Sequence, residues 1–296
     1  WSKEILSKFN IPASILPEIK PNVYKFGTTN ICGLKIPIGG MIGDQQSATI
    51  GQSCFKKGES KITFGTGCFL ITNIGDKFKL SKNNLLTSIT YKIGDKKMFC
   101  FEGGIFVAGS AIQWLRDKLK LFKKSSEVEN LAKKRNLNEK VIFIPTLTGI
   151  GAPYWNPYIR GAIFEITRNT KIQDIVYSAL ESISFLTFDL LKCVEKDLQK
   201  KISIIKIDGG MAKNNYFNQI LSNILFKNII KPKNTETSSL GAAYLAGINC
   251  GIITDTNSLD KKISSKIIFS PNIDKGLNKS KIKKWKKYIN KLITDF

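Results

Sequence analysis

From Ile172 to about Leu198, apolar side chains return every three or four residues: Ile175, Ala179, Ile183, Leu186, Leu190, Val194 and Leu198. That spacing winds them onto one stripe of a long amphipathic helix. Ile202–Ile207 follows as an apolar run of strand length, ends at Asp208-Gly209-Gly210, and leads to a second helical stretch, Asn214–Leu225. A long helix feeding a buried strand, which feeds another helix, commits this part of the chain to a layered α/β architecture. Asn228–Ile230 then reads as a strand and Ser239 to about Asn249 as a helix. Upstream, Ile36–Met41, Lys61–Phe64, Cys68–Asn73, Lys97–Glu102 and Val141–Ile144 read as strands, the fourth stopping at Gly103-Gly104. Gly65-Thr66-Gly67 between two β-type runs is a hairpin signal. Ala108–Leu121 and Ser126–Ala132 read as helices, the second opening on the capping-box spacing Ser126…Glu129. Residues 1–25 give a short helix and a loop punctuated by Pro12, Pro17 and Pro21.

Hydrophobic residues make up 42% of the 296 residues, enough for a real core, and no apolar run approaches the ~20 residues that span a bilayer. The net charge of +23 raises the question of a nucleic-acid partner. The cations argue against one. Only Arg116, Arg135, Arg160 and Arg168 are arginines, and the lysines are spread along the chain. Nucleic-acid readers favour the planar guanidinium fork, so the charge reads as a lysine-rich bias. The one basic cluster, Lys279–Lys291, carries Ile282, Trp285, Ile289 and Leu292 at helical spacing and predicts a surface helix. There is no His, and none of the six Cys form a CxxC pair, so zinc, disulfide and Ser–His chemistry lack support. Scattered Cys without a secretion-signal pattern fit the reducing cytoplasm. Acid–base chemistry falls to Asp, Glu, Lys or Tyr.

Four segments could carry such chemistry. In Gly43-Asp44-Gln45-Gln46 a carboxylate follows a strand and a glycine, the place where open α/β sheets bind ligands. Asp44 could take a proton from a hydroxyl while the Gln45 amide holds a second one. By spacing alone the segment reads as readily as a turn that caps the next helix. Gly65-Thr66-Gly67 could cradle phosphate oxygens or be a plain hairpin tip. Asp208-Gly209-Gly210, with Asn214 after it, could present a helix N-terminus to a nucleotide, with Asn214 on base or ribose, or be a strand–helix turn. It is neither a Walker A loop nor GxGxxG. The small residues of Ser239–Gly247 suit close packing, and the loop Gly149–Trp155 reads as rigid packing.

The order of these motifs resembles the glycerol kinases of the FGGY carbohydrate kinase family. The matching stretches are Gly43–Gln46 with Gly51-Gln52, Phe64–Phe69, Leu85–Thr87, Glu102-Gly103 and Ala108-Gly109 through Ile112–Asp117. They continue with Thr148–Trp155, Pro157–Phe164, Asp208–Gly210 with Asn214, Leu240–Gly247 and Trp285–Lys287. The resemblance implies an actin-like ATPase (ribonuclease H-like) fold and the second domain of a two-domain sugar kinase. It implies ATP and Mg²⁺ as cofactors, and glycerol as the acceptor. Asp44 would be the catalytic base, and Asp44, Gln45 and Phe69 would hold glycerol. Thr66, Gly109, Gln113, Gly210 and Asn214 would line the nucleotide site, with no metal-ligating side chain assigned. It implies that residues 1–51 end a first domain, 60–250 form the C-terminal domain, and 251–296 form an extension with a basic amphipathic helix. The interdomain hinge would fall near 50–60. A cytoplasmic homo-oligomer, dimer or tetramer, is implied, without nucleic acid or membrane insertion. Most of the first domain and a starting Met are absent, so the chain is expected to be a fragment, the alternative being an inactive remnant that at most binds nucleotide. Glu165 departs from the family, standing where Gly is usual.

Overall fold

The computed structural model describes residues 1–254 and 266–294. A seven-stranded mixed sheet holds it together. In sequence order its strands are β3 (Ser60–Phe64), β4 (Cys68–Gly75), β5 (Leu86–Ile93), β6 (Lys96–Ile105), β9 (Ile204–Asp208), β10 (Asn228–Pro232) and β11 (Lys266–Phe269), while β7 (Ile142–Ile144) and β8 (Ala162–Phe164) pair with each other outside it. In space they run β11-β10-β9-β3-β4-β6-β5, with β9 parallel to both β3 and β10 and the other pairs antiparallel. Two-residue alternation sorts the side chains onto two unlike faces. Ile62, Phe64, Leu70, Phe101, Ile205 and Ile207 join the main apolar core with α5 (Ile172–Leu198), whose Leu190 sits where a Cβ on Gly103 would have to go. The other face is covered by α2 (Asp44–Gly51) and α7 (Thr237–Asn249) and has only a small apolar cluster around Ile50, Tyr244 and Leu245. It carries instead Lys61, Thr63, Glu102, Lys206 and Asp208, and α2 reaches down to them.

Helices α2 and α7 come into backbone contact at two glycines. A methyl on Gly51 would overlap the Thr237 carbonyl, and one on Gly241 would overlap the Ser47 carbonyl. Ser47 Oγ donates to Ser238 O, and Ser238 Oγ donates to Asp44 O at 3.0 Å, so hydroxyls at the contact replace the missing bulk. The C-terminal helix Lys275–Thr294 is more than a surface helix. Trp285 is fully buried, stacks on Phe185 at 5.1 Å, and its indole N–H donates to the buried Asp189 at 2.9 Å. Ile289 and Leu292 are buried with it while Lys283, Lys287 and Lys291 stay exposed. No helix among the described residues is long and apolar enough to cross a membrane.

Several sequence expectations shift. β6 runs through Gly103-Gly104 to Ile105, because pairing with β4 continues across both glycines. β5 and β1 (Val23–Ile31) stand where no strand is expected from sequence, and the strand expected at Ile36–Met41 is β2 (Leu34–Gly40), which pairs with β1 as an exposed hairpin. The helix expected at Ser126 is a 3₁₀ turn, Ser125–Glu127, running into α4 (Val128–Lys133). Its capping carboxylate is Glu127, which accepts from Lys124 N at 2.7 Å, and not Glu129. Glu165 adopts φ 60°, the left-handed region that favours glycine. Its carboxylate accepts from Tyr288 OH, and Tyr288 stacks on the neighbouring Phe164 at 4.7 Å. Part of the 251–296 extension, residues 255–265 and 295–296, lies outside the described residues.

Gly241→Ala is expected to force α2 and α7 apart and to cost about 1–3 kcal/mol, as overpacking does. Urea unfolding of the two proteins measures this; an unchanged midpoint would remove the close crossing as a constraint.

Candidate active site

The turn between β3 and β4 is the centre of the site. Helix α3 (Gly109–Asp117) has no side-chain cap. Its first amides are taken up by the turn: Ala108 N and Ser110 N donate to Thr66 O at 3.0 and 3.1 Å, and Gly109 N donates to Gly65 O at 3.1 Å. Ser110 Oγ adds a further bond to Thr66 O at 3.0 Å. Gly109 permits this approach, since a Cβ there would lie 2.5 Å from Gly65 O. Among the described residues the Thr66 and Gly67 N–H groups donate to nothing. They are the donors a phosphate-cradling turn requires.

Behind the turn is a cavity of about 630 Å³, within the range of small-molecule sites. Thr66, Gly109, Gln113, Gly210 and Asn214 all line it, so the structure brings together all five residues expected from sequence at a nucleotide. Gly209 and Gly210 differ in kind. Gly209 has φ 86° and a Cβ on it would lie 2.5 Å from Phe64 O, whereas a Cβ on Gly210 would meet nothing within 4 Å. The wall at Gly210 is thus left open for a ligand to approach the backbone. Asn214 has a structural task as well. It is the N-cap of α6 (Asn215–Leu225), and its Oδ1 accepts from Phe217 N at 2.9 Å. Its amide nitrogen takes no part in that cap. A 3₁₀ turn, Gly210–Lys213, joins the glycines to α6, whose start at Asn214–Asn215 is where the sequence puts it.

Asp44, Gln45 and Phe69 do not line this cavity. They belong to the α2 face of the sheet. Asp44 is exposed and is the first residue of α2; the N-cap is Gly43, which makes no side-chain cap. Asp44 Oδ1 accepts from Gln45 N at 2.8 Å, and Gln45 Nε2 lies 3.4 Å from Asp44 Oδ2. Register places Asp208, Thr63, Phe69 and Gly104 side by side across four strands. Phe69 is 44% exposed on that row, two residues past Gly67. The turn therefore joins the two halves: Thr66 belongs to the cavity and Phe69 to the face below α2.

Three glutamines fix α2 on that face, each to a different strand. Gln45 Oε1 accepts from Lys61 Nζ at 2.6 Å, Gln46 Nε2 donates to Glu102 Oε1 at 2.8 Å, and Gln52 Nε2 donates to Asp208 Oδ2 at 2.8 Å. Asp208 is 1% exposed, and its Oδ2 also accepts from Thr237 Oγ1 of α7. Lys61 is fully buried; burial pushes its ammonium below the usual lysine range, against the pull of Asp208 and Asp44. Sequence reasoning gives no role to Lys61, Glu102, Gln52 or Thr237. A lysine alternating with Ile62 and Phe64 in a strand was the available signal.

Residues 60–250 match the model of the FGGY family of carbohydrate kinases, C-terminal domain. The chain belongs to this family, and its fold is the actin-like ATPase fold. It is 43% identical over 296 residues to the glycerol kinase of Alkaliphilus oremlandii and 45% identical over 285 residues to that of Mycoplasmoides gallisepticum. It covers 59% and 56% of their lengths, with 99% and 93% of its own. The crystal structure of Plasmodium falciparum glycerol kinase with ADP superposes with a TM-score of 0.89 at 37% identity, over 99% of this chain and 59% of that one. A gluconate kinase from Lactobacillus acidophilus, 21% identical, shares the fold with a TM-score of 0.82.

The two cavity glycines should separate in a stability measurement. Gly109→Ala is expected to cost ~1–3 kcal/mol through its clash with Gly65 O, and Gly210→Ala to stay within ~0.5 kcal/mol. Equal losses in urea titrations would show that the open wall at Gly210 is not open.

Proposed function

We propose that this chain is the catalytic-base and nucleotide-binding part of a glycerol kinase, which transfers the γ-phosphoryl group of ATP to glycerol. The observation that carries the reading is the β3–β4 turn, whose Thr66 and Gly67 N–H groups have no protein partner among the described residues, between the glycine-walled cavity and the Asp44–Gln45–Phe69 face. The likeness to glycerol kinases supports the choice of acceptor. On this reading residues 1–51 close a preceding domain, 60–250 form the C-terminal domain, and the 50–60 segment following α2 is the hinge.

Asp44 accepts the proton of a terminal glycerol hydroxyl. That oxygen forms the new bond to the γ-phosphorus as the bond to the β-bridging oxygen breaks, giving sn-glycerol 3-phosphate and ADP. Gln45 holds a second hydroxyl, and Phe69 packs on the carbon chain. Thr66 and the turn amides hold phosphate oxygens; Gly109, Gln113, Gly210 and Asn214 hold the rest of the nucleotide. Catalysis is chiefly alignment and charge neutralisation. Among the described residues no group of three His, Cys, Asp or Glu is assembled for a metal. The implied Mg²⁺ would come with the nucleotide, as in phosphoryl-transfer sites that keep the ion with the substrate. When bound, it offsets charge developing on those oxygens.

The test is coupled ADP release with glycerol against other polyols. It uses this chain joined to the stretch of the Alkaliphilus glycerol kinase that it does not cover, with the chain alone in parallel. We expect glycerol to be the preferred acceptor and the chain alone to turn over little. Asp44→Asn should lower kcat by about 10²–10⁴-fold, the range for a general base, with ADP still bound. Near-normal turnover would remove Asp44 from the role. Gly210→Val should weaken ADP binding by at least ~tenfold, about 1.4 kcal/mol, in a titration of the chain alone; unchanged affinity would place the nucleotide elsewhere.

A further inference from the structure

Lys61 is the least expected residue in the sheet. Lysine is almost never fully buried without a partner of opposite charge. Here the side chain is 0% exposed, and among the described residues its ammonium has no carboxylate within salt-bridge distance. Its partners are neutral: Gln45 Oε1 at 2.6 Å and Thr63 Oγ1 at 2.8 Å. An ammonium has donors and no acceptor. Whatever faces it must be an oxygen. The two ends of a glutamine amide are ordinarily assigned from their surroundings; at Gln45 the Lys61 amino group on one side and the Asp44 carboxyl on the other favour the same orientation. Oε1 is held down by Lys61, and the NH₂ group is turned to the Asp44 side, where Nε2 lies 3.4 Å from Asp44 Oδ2.

We propose that Lys61 is a positioning residue that locks the Gln45 amide as a hydrogen-bond donor beside Asp44, so that the site accepts a polyol whose hydroxyl oxygen receives a bond from Gln45 while another hydroxyl gives its proton to Asp44. The inference rests on the glycerol kinase reading for its acceptor, and on the structure alone for the amide. Thr63 fixes the ammonium from the other side, and Thr63 is opposite Phe69 in the β3–β4 register. The lysine thus ties the polar and apolar walls of the acceptor site to one strand.

Two experiments test it. The first needs no activity. In side-chain amide NMR spectra of the 296-residue chain, the Gln45 pair is identified by its loss in Gln45→Glu. We expect Lys61→Met to move that pair toward the position of mobile glutamine amides while the Gln46 and Gln52 pairs stay. An unmoved Gln45 pair overturns the lock. The second uses the joined chain of the preceding section. Lys61→Met should raise the glycerol KM about tenfold, leave the ATP KM within about twofold, and add nothing to the loss caused by Gln45→Ala. Additive losses, or an unchanged glycerol KM, overturn the proposal. Gln45→Glu keeps Lys61 paired and covers the case in which Lys61→Met does not fold. It should preserve the melting temperature and still raise the glycerol KM, because the donors are gone; an unchanged KM there overturns the proposal too. If the unmodified joined chain prefers another polyol, the glycerol reading fails, and the amide experiment still decides the role of Lys61.

Discussion

Helix α2 can lie against the sheet only because two glycines let it pass. Gly51 and Gly241 bring α2 and α7 into backbone contact, with carbonyl oxygens of each helix where the other would carry a methyl. That closeness sets the height of α2 above the strands. At that height three glutamine side chains reach β3, β6 and β9, and the first residue of the helix, Asp44, comes to the edge of the face. A helix held off by an ordinary apolar layer would need longer side chains or intervening water to make the same bonds.

The result is a sheet with two chemistries. The α5 face is a dense apolar core and supplies most of the driving force for folding. The α2 face buries charge and amide groups, which is costly unless each is satisfied. Nearly all are. Asp208 Oδ2 accepts from both helices' side chains, through Gln52 and Thr237, while its Oδ1 is buried without a partner among the described residues. Asp208 also ends the strand that leads to Gly209-Gly210. One carboxylate therefore links the α2–α7 crossing to the wall of the cavity.

Much of the architecture was legible in the sequence. The Ile172–Leu198 stripe gives its helix to the residue, because a period repeated over many turns fixes both ends of the buried face. Strands were readable where apolar runs are bounded by glycine turns, as at Lys61–Phe64 and Cys68–Asn73. β5 was not, because Leu86–Ile93 mixes exposed and buried positions at the sheet edge. At the site, Thr66, Gly210 and Asn214 belong to glycine-marked turns that suggest a phosphate or nucleotide by themselves, whereas Gly109 and Gln113, on α3, are implied only by the family resemblance. The bonds that hold α2 could not be read at all. Lys61 and Gln45 are 16 positions apart and Gln52 and Asp208 are 156 apart, so their pairing is a property of the register and of the helix crossing. Asn214 shows a subtler limit: one residue both caps a helix and lines a cavity, and spacing does not separate the two tasks.

The bonds from α3 to the β3–β4 turn do more than hold the turn in place. The Gly65 carbonyl belongs to the same peptide group as the Thr66 N–H, and the Thr66 carbonyl to the same group as the Gly67 N–H. Each carbonyl receives donors from the positive end of a helix, and Thr66 O receives three of them. A peptide group whose oxygen accepts hydrogen bonds has its electrons drawn toward that oxygen, which makes its N–H a stronger donor; such chains strengthen each bond by perhaps 10–30%. Helix α3 therefore acts on the far side of the turn without touching it. Its dipole is relayed through two peptide planes, and the free amides of Thr66 and Gly67 present part of the attraction for an anion that a helix N-terminus would otherwise offer directly.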